Sequence, residues 1–324
     1  MAASRADVAL NIFGKPYQTS LALLSLLRFS RPHIGTIYLQ FEPYGSAFDP
    51  APPYVAAEYL QELPDAPSLF VSQPKYWLKL DPPEMPRLND PEYRLSIRYQ
   101  HAFEHSTASH MLILHNDVLI LRDMLGYMLK HIGDAFALGG VGQCWNCPAR
   151  HAFLMREAGC GSEACAPERY VEFQPDPAGL DRLYRVAVNK GVFVRPWWEG
   201  WQTHYNERAW PLPECRVNEW GCLVNLELTR PLVLPHGSIM PFGAFEACGS
   251  IALDTAVAWF RDLNRLGLRA RHMDIQPYLT HWVGNGKMTR IKYLRAEENA
   301  RIILERQFPA FAQWCRRRGN GLFV

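Results

Sequence analysis

The chain has 324 residues, 48% of them apolar and 20% charged, enough to bury a large core and too apolar for general disorder. Its 34 Lys and Arg stand against 32 Asp and Glu, a formal net charge of +2, so no basic excess marks a nucleic-acid binder. The polar N-terminus and the short apolar run at 21–27 offer no transmembrane segment, which makes a cytoplasmic location the expectation.

Residues 8–13 (VALNIF) read as a buried strand, broken by Gly14-Lys15-Pro16. Residues 17–29 follow as a helix, with Pro16 suited to its first turn, and 36–41 (TIYLQF) form a second strand. Strand, helix and strand with short joints make a βαβ unit and imply a parallel sheet. A helix is expected at 55–63, a strand at 68–72, and one continuous helix at 91–106. The fully apolar 111–114 (MLIL) reads as a central strand that stops at His115-Asn116-Asp117. A helix over 121–132 capped by Gly133 and a strand at 136–141 follow. Residues 143–222 are rich in Cys, Trp, Pro and Arg with weak periodicity, and helices return at 255–266 and 296–308. This order divides the chain into an α/β nucleotide-binding half, 1–142, and a more irregular acceptor-side half, 143–324, joined as one continuous domain.

The segment MLILHNDV carries the clearest chemical signal. A carboxylate at the end of a rigid central strand can hold a Mg²⁺ or Mn²⁺ ion that also touches diphosphate oxygens. The plainer reading is that Asp117 caps a turn. With the βαβ unit and HND, the chain resembles GT-A glycosyltransferases, close to family 2-like members. Their Asp-X-Asp-like motif ends a central strand of a Rossmann-like, mostly parallel mixed sheet flanked by helices. Asp117 matches the motif's last, metal-binding position. His115 replaces its first acid, and with Asn116 is a candidate contact to the nucleotide donor or the metal. Downstream, THWVGNGK resembles the late His-aromatic-Gly-Lys segment of several such enzymes. The resemblance implies His281 as a metal ligand, Gly284 and Gly286 as points of backbone approach, and Lys287 as a phosphate contact, at a spacing one residue short of the pattern. A loop His beside a core Trp282 is the plainer reading. The resemblance also places Asn11, Phe13 and Tyr17 near the nucleotide; on the 91–106 helix just before the HND strand, Arg98 is a candidate diphosphate contact or a solvated Arg on a helix face.

An inverting transfer needs a carboxylate to take the acceptor proton. The segment Asn218-Glu219-Trp220-Gly221 resembles the site of that base near a helix start, making Glu219 the catalytic candidate ahead of Glu199, Asp254 and Glu246. Trp198, Trp201 and Trp220 offer flat faces for an acceptor sugar, or serve as core. The acceptor would be a glycan, a lipid-linked sugar or a protein. Cys144, Cys147, Cys160 and Cys165 (C-x₂-C-x₁₂-C-x₄-C) have the chemistry of a structural Zn²⁺ site, or are buried thiols. The basic run Arg316-Arg317-Arg318 after a helix is a solvated end, or a peripheral contact to an anionic membrane. Against the transferase stand two rivals: a zinc-stabilised carbohydrate- or protein-binding module, and a metal-dependent nucleotide hydrolase or nucleotidyltransferase.

Overall fold

Strand β1 (Ala6–Ile12) is buried along nearly its whole length and lies between two parallel neighbours, β2 (Ile34–Phe41) and β4 (His110–His115). In the computed structural model the described residues are 4–42, 54–78, 81–142, 216–248, 251–253, 255–281 and 290–323. Burial on both faces is why these strands read as apolar runs. Val8, Leu10 and Ile12 join Leu112 and Leu114 in one core layer, while Ala9, Met111 and Ile113 face the other.

Helix α1 (Pro16–Ser30) opens with Pro at its first turn and crosses from β1 to β2. After α2 (Val55–Gln61), strand β3 (Ser68–Ser72) pairs parallel with β2. The expected helix at 91–106 is instead broken into α3 (Pro91–Arg94) and α4 (Gln100–His105). The cause is the buried Gln40 amide: its nitrogen donates to the Leu95 carbonyl, and its oxygen accepts from the Tyr99 N–H, with Tyr99 left-handed at φ 64°. Beyond β4 come β5 (Val118–Ile120), α5 (Met124–His131), capped by Asp123 at its start and followed by Gly133 at φ 55°, and β6 (Ala137–Val141).

Strand β7 (Val217–Asn225) has no counterpart in the sequence reading, where 143–222 is irregular. It inserts antiparallel between β4 and β6. The short helix α6 (Leu226–Thr229), a β8 (Glu246–Cys248) and β9 (Ile251–Leu253) hairpin, and α7 (Val257–Arg265) follow. Strand β10 (Arg271–His272) closes the sheet in the order β10-β6-β7-β4-β1-β2-β3. The result is the expected mixed, mostly parallel sheet flanked by helices, and both halves of the sequence contribute strands to it. Phe136, Phe242, Trp259 and Phe260 fill the second core layer with edge-to-face and tilted contacts.

Strand β11 (Leu279–His281) pairs antiparallel with β5 in a separate ribbon. The chain closes with α8 (Arg290–Gln307) and α9 (Pro309–Arg318). The three arginines lie inside the last turn of α9, not after a helix as expected, where their charge complements the helix dipole. Arg316 pairs with Glu305 at 2.6 Å and Arg318 contacts Glu62. No described helix is long and apolar enough to cross a membrane.

Candidate metal and donor site

Three elements deliver their ends to one place. Strand β4 stops at His115, and the Asn116-Asp117 turn leads into β5. The β5–β11 ribbon sets His281 opposite Val118, one residue beyond Asp117. Strand β7 runs antiparallel to β4 with Gly221 opposite Leu114, so Glu219 and Trp220 lie at the β4 carboxyl end. Open α/β sheets bind ligands at this edge.

The Asp117 carboxylate is 4% exposed and surrounded by nitrogen. Its Oδ1 lies 3.0 Å from His281 Nε2 and 3.6 Å from His115 Nδ1. Its Oδ2 accepts from Lys15 Nζ at 2.6 Å. Burial pushes the carboxyl up, but the Lys15 ammonium, the charge of His281 and hydrogen bonds from both histidines outweigh it and hold Asp117 well below the usual carboxylate range. One ligand atom each from His115, Asp117 and His281 fall within 4.8 Å of one another.

That donor set fits a divalent transition metal. Two imidazoles and one carboxylate suit Mn²⁺ better than Mg²⁺, which prefers all-oxygen shells. The buried Nδ1 of His281 has no partner among the described residues, so nothing there competes with Nε2 for the ring's orientation toward Asp117. Trp220 fixes the ring from one side, stacked at 4.2 Å between centroids and 16° between planes.

Glu219 belongs to strand β7, not to a helix start as its sequence context implied. Its Oε2 lies 2.8 Å from Arg216 Nη1, at an angle outside hydrogen bonding, and its Oε1 lies 3.9 Å from His115 Nε2. Asn116 spends its amide inside the fold, donating to Thr19 Oγ1 at 2.9 Å and to the Gly14 carbonyl. Tyr17 is buried against Phe323, and its hydroxyl is pushed up to about 12 chiefly by that burial. Asn11 and Arg98 both donate to Glu42 Oε1, at 2.7 and 3.0 Å. Glu42, Arg98, Ser96 and Asp81 line a shallow indentation with room for little more than a water. Phe13 stacks parallel to Trp77, 6.1 Å apart. Lys287, Gly284, Gly286, Trp282, Trp198, Trp201, Glu199, Asp254 and the four cysteines, Cys144, Cys147, Cys160 and Cys165, lie outside the described residues.

Lys15 and Arg216 are the site residues that sequence reasoning missed. Gly-Lys-Pro after a strand reads as punctuation before a helix, yet a cation at a parallel strand's carboxyl end was the available signal.

No protein-family model matches the chain, and no curated protein matches it in sequence. Among solved structures, it aligns with a mannosyltransferase from Pyrobaculum calidifontis in complex with GDP-Man and Mn²⁺ (13% identity, 97% of this chain and 75% of that one, TM-score 0.45). It also aligns with core-mannan synthase A from Aspergillus fumigatus in an Mn/GDP form (10% identity, 94% and 85% covered, TM-score 0.37). Mouse xyloside xylosyltransferase 1 in its apo form aligns at 16% identity over 70% and 69% of the two chains, TM-score 0.34. Likeness at this level carries no weight by itself.

Proposed function

We propose that this protein is a GT-A type glycosyltransferase that moves a sugar from a nucleotide-diphosphate donor to a hydroxyl acceptor, with Mn²⁺ held by His115, Asp117 and His281. The observation that carries this reading is the His115–Asp117–His281 cluster at the carboxyl edge of a mostly parallel sheet. A divalent ion bound there would neutralise charge on the departing diphosphate. Asp117 provides the fixed negative ligand, kept ionised by Lys15. His281 is oriented by Trp220, and His115 stands between Asp117 and Glu219.

In this reading Glu219 takes the acceptor hydroxyl's proton and the transfer inverts the anomeric centre. Its support is position: a carboxylate anchored by the buried Arg216 beside the cluster, with Oε1 turned toward His115. Trp220 supports His281 rather than standing apart as an acceptor platform. The nucleoside would lie beside Asn11 and Phe13, at the carboxyl end of β1, the strand next to β4.

The experiment incubates the protein with UDP-, GDP-, CDP- and dTDP-sugars, with Mn²⁺ or with chelator, and follows nucleoside diphosphate release and glycoside formation. The expected result is metal-dependent release from one donor, with Glu219→Gln lowering turnover by about 10²- to 10⁴-fold. Release that survives chelation and Asp117→Asn, or no glycoside from any donor, would overturn it.

A further inference from the structure

The nucleotide-sugar reading uses Lys15 only to keep Asp117 ionised, yet the fold takes trouble to place it. Gly14 and Lys15 both adopt left-handed backbone, at φ 61° and 56°. A lysine there is strained against ordinary backbone, and such strain gathers at functional sites. The conformation is held from outside: the Tyr293 hydroxyl on α8 accepts from the Lys15 N–H at 2.9 Å. It directs the side chain, 14% exposed, to Asp117 Oδ2.

A second observation bears on the diphosphate. In nucleotide-binding βαβ units the N–H groups at the first helix's start commonly receive phosphate. Here they are taken. Glu297 of α8, 3% exposed, accepts from the Tyr17 N–H at 3.0 Å and the Gln18 N–H at 3.2 Å, and its Oε1 also accepts from the Gln18 side chain at 2.9 Å. The helix start thus faces a carboxylate, and among the described residues Lys15 brings a positive charge beside the cluster, between β1 and β4.

We propose that Lys15 is an exchangeable cation of this site: it neutralises Asp117 when no metal is bound, and it turns to the donor diphosphate when a divalent ion takes Asp117. A lysine ammonium is a flexible point charge suited to both partners. The inference rests on the nucleotide-sugar reading, and makes Lys15 a donor-binding residue that also sets the metal affinity.

The test measures Mn²⁺ affinity by electron paramagnetic resonance on wild type, Lys15→Met and Lys15→Arg, then GDP and UDP affinity by calorimetry at saturating Mn²⁺. Removing a competing charged pair should tighten Mn²⁺ binding to Lys15→Met by about tenfold, and removing a phosphate partner should weaken nucleotide binding by about tenfold or more. Lys15→Arg should keep much of the nucleotide affinity. In wild type, acetylation of the Lys15 amine, read by mass spectrometry, should rise on adding Mn²⁺ and fall again with nucleotide. That readout stands even if Lys15→Met fails to fold. Unchanged Mn²⁺ and nucleotide affinities in Lys15→Met, or acetylation indifferent to Mn²⁺, would overturn the role of Lys15 alone. A wild type that binds neither GDP nor UDP with Mn²⁺ would overturn the functional reading together with it.

Discussion

Asp117 and Glu297 are both buried acids, and they flank the same short segment, Gly14 to Gln18, but their partners differ in kind. Glu297 accepts from two backbone N–H groups and a side-chain amide, donors held in place by the start of α1. Asp117 is satisfied by an ammonium and two imidazoles, each able to bind a metal or a phosphate instead. Burial of a carboxylate therefore does not by itself mark a functional site. The chemistry of its partners does: fixed neutral donors make a cap, while exchangeable basic groups make a site.

The largest effect that tests this contrast falls on Asp117. Asp117→Asn keeps the shape and should lower turnover by about 10²- to 10³-fold while the fold persists, as loss of charge stabilisation in an active site does. Steady-state kinetics with circular dichroism checks it; a variant that unfolds but turns over normally per folded molecule would reverse the two roles. Glu297→Ala should do the opposite. It strands two N–H groups at the start of α1 and should cost about 2–4 kcal/mol of unfolding free energy, with Mn²⁺ affinity near that of wild type. Denaturant titration reads that cost, and a loss of metal binding without a loss of stability would erase the distinction.

The smallest effect concerns a half-buried ionisable group of a third kind. His101 packs against His105, 4.2 Å between centroids, and its buried Nδ1 has no partner among the described residues. Burial, then the charge of His105, pushes its imidazole down to about 4. A histidine lowered in the folded state gives stability that is whole above the unfolded value of about 6.5 and is lost as pH falls from there toward about 4. Unfolding midpoints should decline across that window in wild type, and His101→Leu should flatten the decline. An identical slope in the variant would show that another group carries it.

The fold was legible where physics is local. Parallel strands buried on both faces read as apolar runs, so β1, β2 and β4 stand out, and Pro16 marks the start of α1. Strand β7 was not legible, because VNEWGCLVN mixes polar and apolar residues and its pairing with β4 is set by distant segments. The break between α3 and α4 likewise depends on Gln40, far upstream. In the site, Asp117 and His281 could be picked out by residue type and strand context. Their meeting depends on the β5–β11 ribbon, of which neither strand was expected. Lys15 was hidden because Gly-Lys-Pro explains itself as a helix start, and its left-handed backbone is fixed by Tyr293 from the far end of the chain.

In the proposed function His115, Asp117 and His281 act together as one cation site. Mn²⁺ titration followed by electron paramagnetic resonance tests it most directly, on wild type, His115→Ala and His281→Ala with matched circular dichroism spectra. One tight Mn²⁺ per wild-type chain is expected, with about 100-fold or greater loss of affinity in each variant, since even supporting residues of metal sites cost about 10- to 100-fold. Equal Mn²⁺ affinity in all three proteins would contradict it.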